Sequence, residues 1–546
     1  MNWIDYQDLE FSDGVFSRLF VDYVTDYKKI AQFYGGNPQD PNDWRHLLKQ
    51  VCDRVMDRSA LTQILSRQNR DFHCGVKSLA NIDLLRDDNC VAVVTGQQVG
   101  IFTGPMYTIY KAITTVKLAD KLSRDYPEYK FVPIFWLAGE DHDFEEVSSV
   151  SLFNPAGEIV QFEYNTEARE SEANVGAVGE IEFNEKIEHL FTSLEDALVP
   201  TEFKAKVLEL FKTAYQKGMT FNRAFVHLMN VLLEDSGLIF LNSNDKEIKQ
   251  FLLPVFRREL AETPRSCQLV IDQSAILERQ YHAQVKPRSI NLFLFHEKGR
   301  FPIEPHPNGY FLKGTRQHFT KTELDDLLNK NPELFSPNVV LRPICQDTLL
   351  PTISYVAGPS ELAYFGQYNT LYKEFGLPEP IIYPRASITI IEEKVEKILT
   401  RFSLEPIALF GNLEFLKQQI AEQISDLKAE GFFTAAAHSV DESLNQLKPA
   451  MQSIDPTLLP ALDHTLEKIH THLSVLKEKT ISAQKRQHEV SLRQIDKAAA
   501  NLFPSSDFQE RQLNILYFLN KYGPEFVRWL FTEIQIDRLK HQLLRI

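Results

Sequence analysis

The sequence predicts an α/β fold: a parallel sheet interrupted by two insertions and followed by a helical arm. A strand, helix, strand succession runs from Val91 to Leu137, the grammar of a βαβ unit. Further short apolar runs stop at glycine or proline, and beyond Ile388 helical periodicity takes over from strand signals.

Up to about Asp88 the spacing is helical, with Phe16, Leu19, Phe20, Tyr23 and Val24 three and four residues apart. Val91-Ala92-Val93-Val94 is a β-branched run ending at Thr95-Gly96, which reads as a buried strand. A helix follows from about Pro105 to Leu122, and Phe131 to Leu137 forms a second strand that ends at Gly139. Between Ser151 and Thr201 the pattern alternates around a hairpin signal, Asn154-Pro155-Ala156-Gly157, so an inserted element is expected. Helices resume from Glu202 to Asp235, and Gly237 to Leu241 reads as another core strand. Alternation from Asn291 to Leu312, with turns at Lys298-Gly299 and Pro307-Asn308-Gly309, marks a second insertion. The sheet is expected to return at Thr352–Val356, before Gly358-Pro359, and at Ile381–Tyr383, before Pro384. In the last third, Leu462, Leu466, Ile469, Leu473 and Leu476 follow the spacing of a heptad seam that weakens at Thr480 and Gln487. A coiled-coil arm that makes a homodimer is the expectation; an antiparallel hairpin within one chain would cover the same seam.

The 546 residues carry a net charge of −15, which repels polyanions, so nucleic acid is not an expected partner. Hydrophobic residues make up 43%, yet no window nears the roughly 18 consecutive apolar residues of a membrane span. Met1 to Asp5 lacks the basic and apolar regions of a secretory signal, so the expected compartment is the cytosol. Cys52, Cys74, Cys90, Cys267 and Cys345 are widely spaced, without Cys-x-x-Cys or zinc spacing, and read as reduced thiols.

Three segments carry the chemistry. The first, Thr95-Gly96-Gln97-Gln98 through Gly100, Gly104, Pro105 and Tyr107, lies between a strand and a helix, where glycines admit a ligand close to the backbone. Exposed N–H groups at that helix start would suit an anion, although neither a P-loop nor a dinucleotide fingerprint is present. The second, Glu140-Asp141-His142-Asp143, follows the next strand, at the end of a sheet where ligands bind. It suits Mg²⁺ with a nucleotide, or an ammonium substrate. For the adjacent Glu145 and Glu146, the favoured reading is that they complement a helix N-terminus. The third segment couples Arg342, Gln346 and Asp347 to a second strand, Gly-Pro, helix junction at Gly358, Pro359 and Glu361. All three are expected to face one cleft.

Together these stretches closely resemble the bacillithiol biosynthesis cysteine-adding enzymes, the BshC family. The matching residues are Val94–Gln98 through Tyr107–Ala112, Phe135–Phe144, and Arg342-Pro343 through Gly358-Pro359. Asn501–Pro504, Glu510-Arg511 and Phe518–Pro524 extend the match toward the C-terminus. The resemblance implies a Rossmann-like core related to class I aminoacyl-tRNA synthetases and other nucleotidyltransferases, with two connecting insertions and a coiled-coil dimerisation arm. On that frame the expected segments are a helical layer at 1–88, core at 89–150, 201–290 and 341–387, and insertions at 151–200 and 291–340. The arm is expected at 388–503, and helices packing back on the core at 504–546.

The activity implied is joining L-cysteine to the glucosamine nitrogen of glucosaminyl-malate, with ATP or another nucleotide and Mg²⁺ as the conjectured activating system. Asp141, His142 and Asp143 would be catalytic. Binding would fall to Thr95, Gly96, Gln97, Gln98, Gly100, Gly104, Pro105, Tyr107, Lys111, Glu140, Arg342, Gln346, Asp347, Gly358, Pro359, Glu361 and Arg385. The sequence departs from the synthetases at Gly104–Tyr107, where their His-x-Gly-His histidines are absent, and at Tyr383–Ser387, which offers a single Arg385 in place of a lysine-rich loop. Charge on a leaving group would then fall to Lys111, Arg342, Arg385 or a metal ion. The competing reading is a nucleotide-binding coiled-coil scaffold without catalysis, which has no use for an acidic cluster at a strand end.

Overall fold

The computed structural model describes residues 2–9, 16–164, 174, 176–424 and 429–546. It contains two compact units, Met1–Ile390 with Asp507–Leu544, and Ile391–Ser506 with Arg545–Ile546.

The first unit is organised by a five-stranded sheet: β1 (Cys90–Gln97), β2 (Lys130–Leu137), β3 (Ile239–Asn242), β4 (Thr352–Ala357) and β5 (Ile381–Pro384). Its spatial order is 3-2-1-4-5 and every pairing is parallel, the arrangement of a Rossmann-like core. Burial on both faces explains why these strands read as continuous apolar runs rather than alternating ones. The third strand starts two residues later than its apolar run, because Gly237 turns there at φ +75° and its carbonyl accepts from Asn81. β1 and β2 are joined by helix α1 (Met106–Asp125), which is buried over much of its circumference. Helices α2 (Lys246–Ala261), α3 (Arg342–Leu349) and α4 (Pro359–Phe365) complete the elements that reach the site.

The first insertion opens with an antiparallel hairpin, Ser149–Phe153 with Ile159–Glu163. Asn154 shapes its turn by accepting from the N–H groups of Ala156 and Glu158. Residues 165–173 and 175 of this stretch lie outside the described residues. The second insertion is a five-stranded sheet, from Leu292–His296 to Phe335–Pro337. Two strands near the chain's end were not foreseen. Ser387–Ile391 continues past β5, and His541–Arg545 pairs antiparallel with Trp3–Ile4, so the C-terminal segment is not helical throughout. Both draw their partners from distant sequence, which local periodicity does not report.

In the second unit, helix α5 (Leu459–Leu502) packs along the helix Ala429–Asn445 of the same chain, with His470 Nε2 2.7 Å from Asp441 Oδ1. The heptad seam is therefore partly covered within the chain: Leu462 is buried and Leu466, Ile469 and Leu473 are half-buried, whereas Leu476 is 54% exposed. No helix among the described residues is long and apolar enough to cross a membrane.

Candidate active site

A cleft of about 610 Å³ opens at the carboxyl ends of β1, β2, β4 and β5, across the point where strand order reverses between β1 and β4. Seven cationic side chains and four carboxylates line it, an excess of positive charge in a chain that is acidic overall.

Its floor is a buried knot. Lys111, on α1, points inward beneath the end of β1 and donates to Gly96 O (2.9 Å) and Gln97 Oε1 (3.0 Å), and it pairs with Glu361. Glu361 in turn accepts from Tyr355 Oη (2.8 Å) and from the Gly358 N–H (2.7 Å), which caps α4. Burial opposes the carboxylate, but the Lys111 ammonium prevails and holds Glu361 below its ordinary range. Four elements, β1, α1, β4 and α4, are tied through these two charges. Burial also pulls the Lys111 ammonium down.

The loop after β2 forms one wall of the cleft. Gly139 is required there, since a Cβ would come within 2.4 Å of Asn222 Oδ1. Glu140 pairs with the buried Lys249 of α2, which also donates to Phe335 O (2.9 Å). Asp141 accepts from Gln98 Nε2 (2.9 Å), Arg300 Nη1 (3.2 Å) and the His142 N–H (2.8 Å), with His142 Nδ1 3.1 Å away. Burial pushes Asp141 up; His142 and the Arg300 guanidinium outweigh it, leaving the carboxyl well below the usual range. Arg300 is fixed from behind by Ser336 Oγ (2.8 Å) and Pro337 O (2.8 Å), with its guanidinium 4.0 Å from the centre of the Phe293 ring.

Across the cleft, Arg342 at the start of α3 donates to Gln346 Oε1 (3.0 Å) and Tyr364 Oη (3.4 Å) and lies 5.1 Å from the centre of the Tyr355 ring. Gln346 donates to Asp347, which also accepts from Tyr372. Arg385 pairs with Glu510 (2.7 Å) beside the Tyr107 ring.

Of the residues expected from sequence, Gly96, Gln97, Gln98, Tyr107, Lys111, Glu140, Asp141, His142, Arg342, Gly358, Pro359, Glu361 and Arg385 line this cleft. Thr95, Gly100, Gly104, Pro105, Asp143, Gln346 and Asp347 do not. Thr95 is buried and donates to Val356 O; Gln346 and Asp347 sit behind Arg342. Asp143 is exposed and accepts from the Glu146 N–H, capping the short helix Phe144–Val147. The helix start after the glycine-rich loop offers no free N–H at Pro105 or Met106. Pro105 has no N–H, and Met106 N donates to Leu513 O. Asn514 Nδ2 holds the carbonyls of Phe102 (2.8 Å) and Gly104 (2.6 Å), fixing a turn in which Gly104 has φ +68°. That helix start is closed by the C-terminal segment.

A family model described as the N-terminal Rossmann-like domain of the bacillithiol biosynthesis protein BshC matches residues 4–386, and the BshC C-terminal coiled-coil domain matches 388–546. The chain belongs to the BshC family. A relative from Salinibacter ruber, named "Putative cysteine ligase BshC", is 39% identical over 98% of this chain and 97% of its own length. One of the same name from Chlorobaculum tepidum is 38% identical over 97% of each.

In this BshC chain the sequence reading assigned no site role to Lys286, Arg288, Arg300 or Arg511 and favoured a helix-terminus role for Glu146, yet all five line the cleft. Arg300 is the second residue of the hairpin strand Gly299–His306, and no local motif marks it. Glu146 is near the acidic cluster, and burial, then Asp143 and Asp141, push its carboxyl up.

Proposed function

We propose that this BshC protein is an amide-forming ligase that joins the carboxyl of L-cysteine to the amine of glucosaminyl-malate, completing bacillithiol. The observation that carries the reading is the Arg300, Asp141, His142 cluster at the carboxyl end of β2, inside a cationic cleft. A scaffold has no need of it.

His142 Nδ1 faces both Asp141 Oδ1 (3.1 Å) and Arg300 Nη1 (3.3 Å), and these contacts require opposite tautomers, because a guanidinium only donates. With the proton on Nδ1, shared with Asp141, Nε2 keeps its lone pair and acts as the base. The sugar ammonium gives its proton to Nε2. Its nitrogen then bonds to the activated cysteine acyl carbon, the leaving group departs with the electron pair of the broken C–O bond, and the second nitrogen proton leaves with that group or to solvent, which leaves a neutral amide. Asp141 orients His142 and stays ionised. Glu146, a cleft carboxylate with no cationic partner among the described residues, holds the cysteine ammonium.

Of the carboxylates that sequence offered to Mg²⁺, Glu140 is paired with Lys249 and Asp141 with Arg300, which fits neither of these two to a protein-held cation. No group of three or more potential ligands gathers among the described residues.

The arm supports a homodimer, since Val475, Leu476 and Val490 of α5 remain exposed beyond the stretch its own chain covers. Sedimentation at micromolar concentration should give twice the chain mass.

Incubating the protein with cysteine, glucosaminyl-malate and each nucleotide in turn, and following product by mass spectrometry, tests the ligase. Bacillithiol should appear with at least one nucleotide; its absence with all of them overturns the reading.

A further inference from the structure

The cleft's cations fall into two classes. Lys111, Arg300, Arg385 and Arg511 each have a carboxylate within salt-bridge distance: Glu361, Asp141, Glu510 and Asp507. Lys286, Arg288 and Arg342 have none among the described residues, although all three line the same cleft. Arg342 spends two donors on neutral oxygens, and its faces meet tyrosine. Such cations, with no carboxylate in direct contact among the described residues of a protein of net charge −15, suit an anion from outside the chain.

The segment that presents Lys286 and Arg288 is pinned at both ends. The Gln367 side chain clamps the backbone of Val285, accepting from its N–H (2.9 Å) and donating to its carbonyl (2.8 Å). At the other end Asn291 donates to the buried Glu259 through its N–H (2.8 Å) and side chain (3.0 Å). Between these anchors Arg288 lies 5.8 Å from the centre of the Phe293 ring, the ring that also carries Arg300. The backbone that carries these two exposed side chains is thus held at both ends, and it presents them between the Arg342 side of the cleft and the Asp141 wall.

We propose that Arg342, Lys286 and Arg288 form a subsite for a dicarboxylate, and that it receives the malyl end of the acceptor. This rests on the ligase reading and extends it by giving the cleft a polarity. Glu146, Asp141 and His142 face the ammonium groups and the acyl carbon, while the cationic arc takes the two carboxylates of the aglycone. The nucleotide's phosphates are the other anion of the proposed reaction, and the test separates the two sources.

Lys286 and Arg288 are exposed, so Lys286→Gln with Arg288→Gln leaves the core intact. L-malate and inorganic pyrophosphate are titrated calorimetrically against the wild type and this variant, and KM is measured for glucosaminyl-malate, methyl glucosaminide and cysteine. The expected result is about a tenfold weaker malate affinity and a similar rise in KM for glucosaminyl-malate, the size of a charge-assisted contact. The KM values for methyl glucosaminide, which lacks the carboxylates, and for cysteine should hold, and Arg288→Lys with Lys286 intact should recover most of the loss. Loss of pyrophosphate binding with malate unaffected, or no change in either, overturns the proposal. A wild type that binds malate through these residues but makes no bacillithiol would sink the ligase reading and leave the subsite standing.

Discussion

Arg300 Nη1 lies 3.2 Å from Asp141 Oδ1, a contact that joins the second insertion to the cleft wall after β2. Burial raises the Asp141 carboxyl, and the hydrogen bonds from His142 together with the Arg300 guanidinium outweigh it and hold the carboxyl below its ordinary range. Asp141 is therefore unsuited to carry protons and suited to orient His142.

Replacing Arg300 by Gln should lower kcat about a hundredfold, the scale of a small misplacement of reacting groups. The acid limb of the pH–rate profile should also move to higher pH, because Asp141 loses one of the groups that hold it down. A variant with normal rate and an unmoved limb would remove Arg300 from the site.

The two aspartates flanking His142 should separate cleanly. Asp141→Asn loses the charge that favours the Nδ1 tautomer, and turnover should fall at least a hundredfold. Asp143→Ala removes only a cap from a four-residue helix, so turnover should stay within a few-fold, at a stability cost of about 1 kcal/mol. Steady-state kinetics with thermal melts decide it, and equal losses in both variants would contradict the placement.

What was legible in the sequence is what local pattern encodes. The five core strands announced themselves as apolar runs, most of them stopped by glycine or proline, and the strand-end rule then put the segments around Gly96, Asp141 and Gly358 into one cleft. Less legible was anything set by distant partners. The N–H of Met106 looked free for an anion, yet Leu513, about four hundred residues on, takes it. Lys111 and Arg385 looked like free cations, yet Glu361 and Glu510 neutralise them. Arg300 and Arg288 carry no motif at all, since their meaning comes from the hairpin and the pinned loop that aim them.

A second pH effect belongs to the fold. Glu379 is buried, accepts from Asn369 Nδ2 (2.7 Å), and has a carboxyl raised by burial to about 8. The folded state keeps this proton up to about pH 8, whereas the unfolded carboxyl loses it near 4.5. Folded protein thus binds more protons across that window, and stability falls as pH rises through it. Glu379→Gln is neutral throughout, so it should match the wild type near pH 5 and melt a few degrees higher at pH 8.5. Parallel curves of melting temperature against pH would show that Glu379 does not titrate this way.

The last prediction concerns the protein's own thiols, which a cysteine-handling enzyme invites one to enlist. None of the five lines the cleft. Four are buried, and burial raises the thiols of Cys74 to about 11 and Cys90 to about 12, with Cys345 well above its ordinary value. The nucleophile in thiol chemistry is the thiolate, and at neutral pH these side chains supply almost none. An acyl-enzyme thioester would also need the acyl group to reach a sulfur inside the core, whereas His142 lines the open cleft. Cys345→Ala should therefore keep turnover within a few-fold, and iodoacetamide applied to the native protein should leave activity intact while modifying Cys52 at most, the least buried of the five. Mass spectrometry of the intact protein during turnover should show no added cysteinyl mass. Such an adduct, with loss of activity in a well-folded Cys345→Ala variant, would move the acyl transfer onto the enzyme and displace the direct attack proposed above.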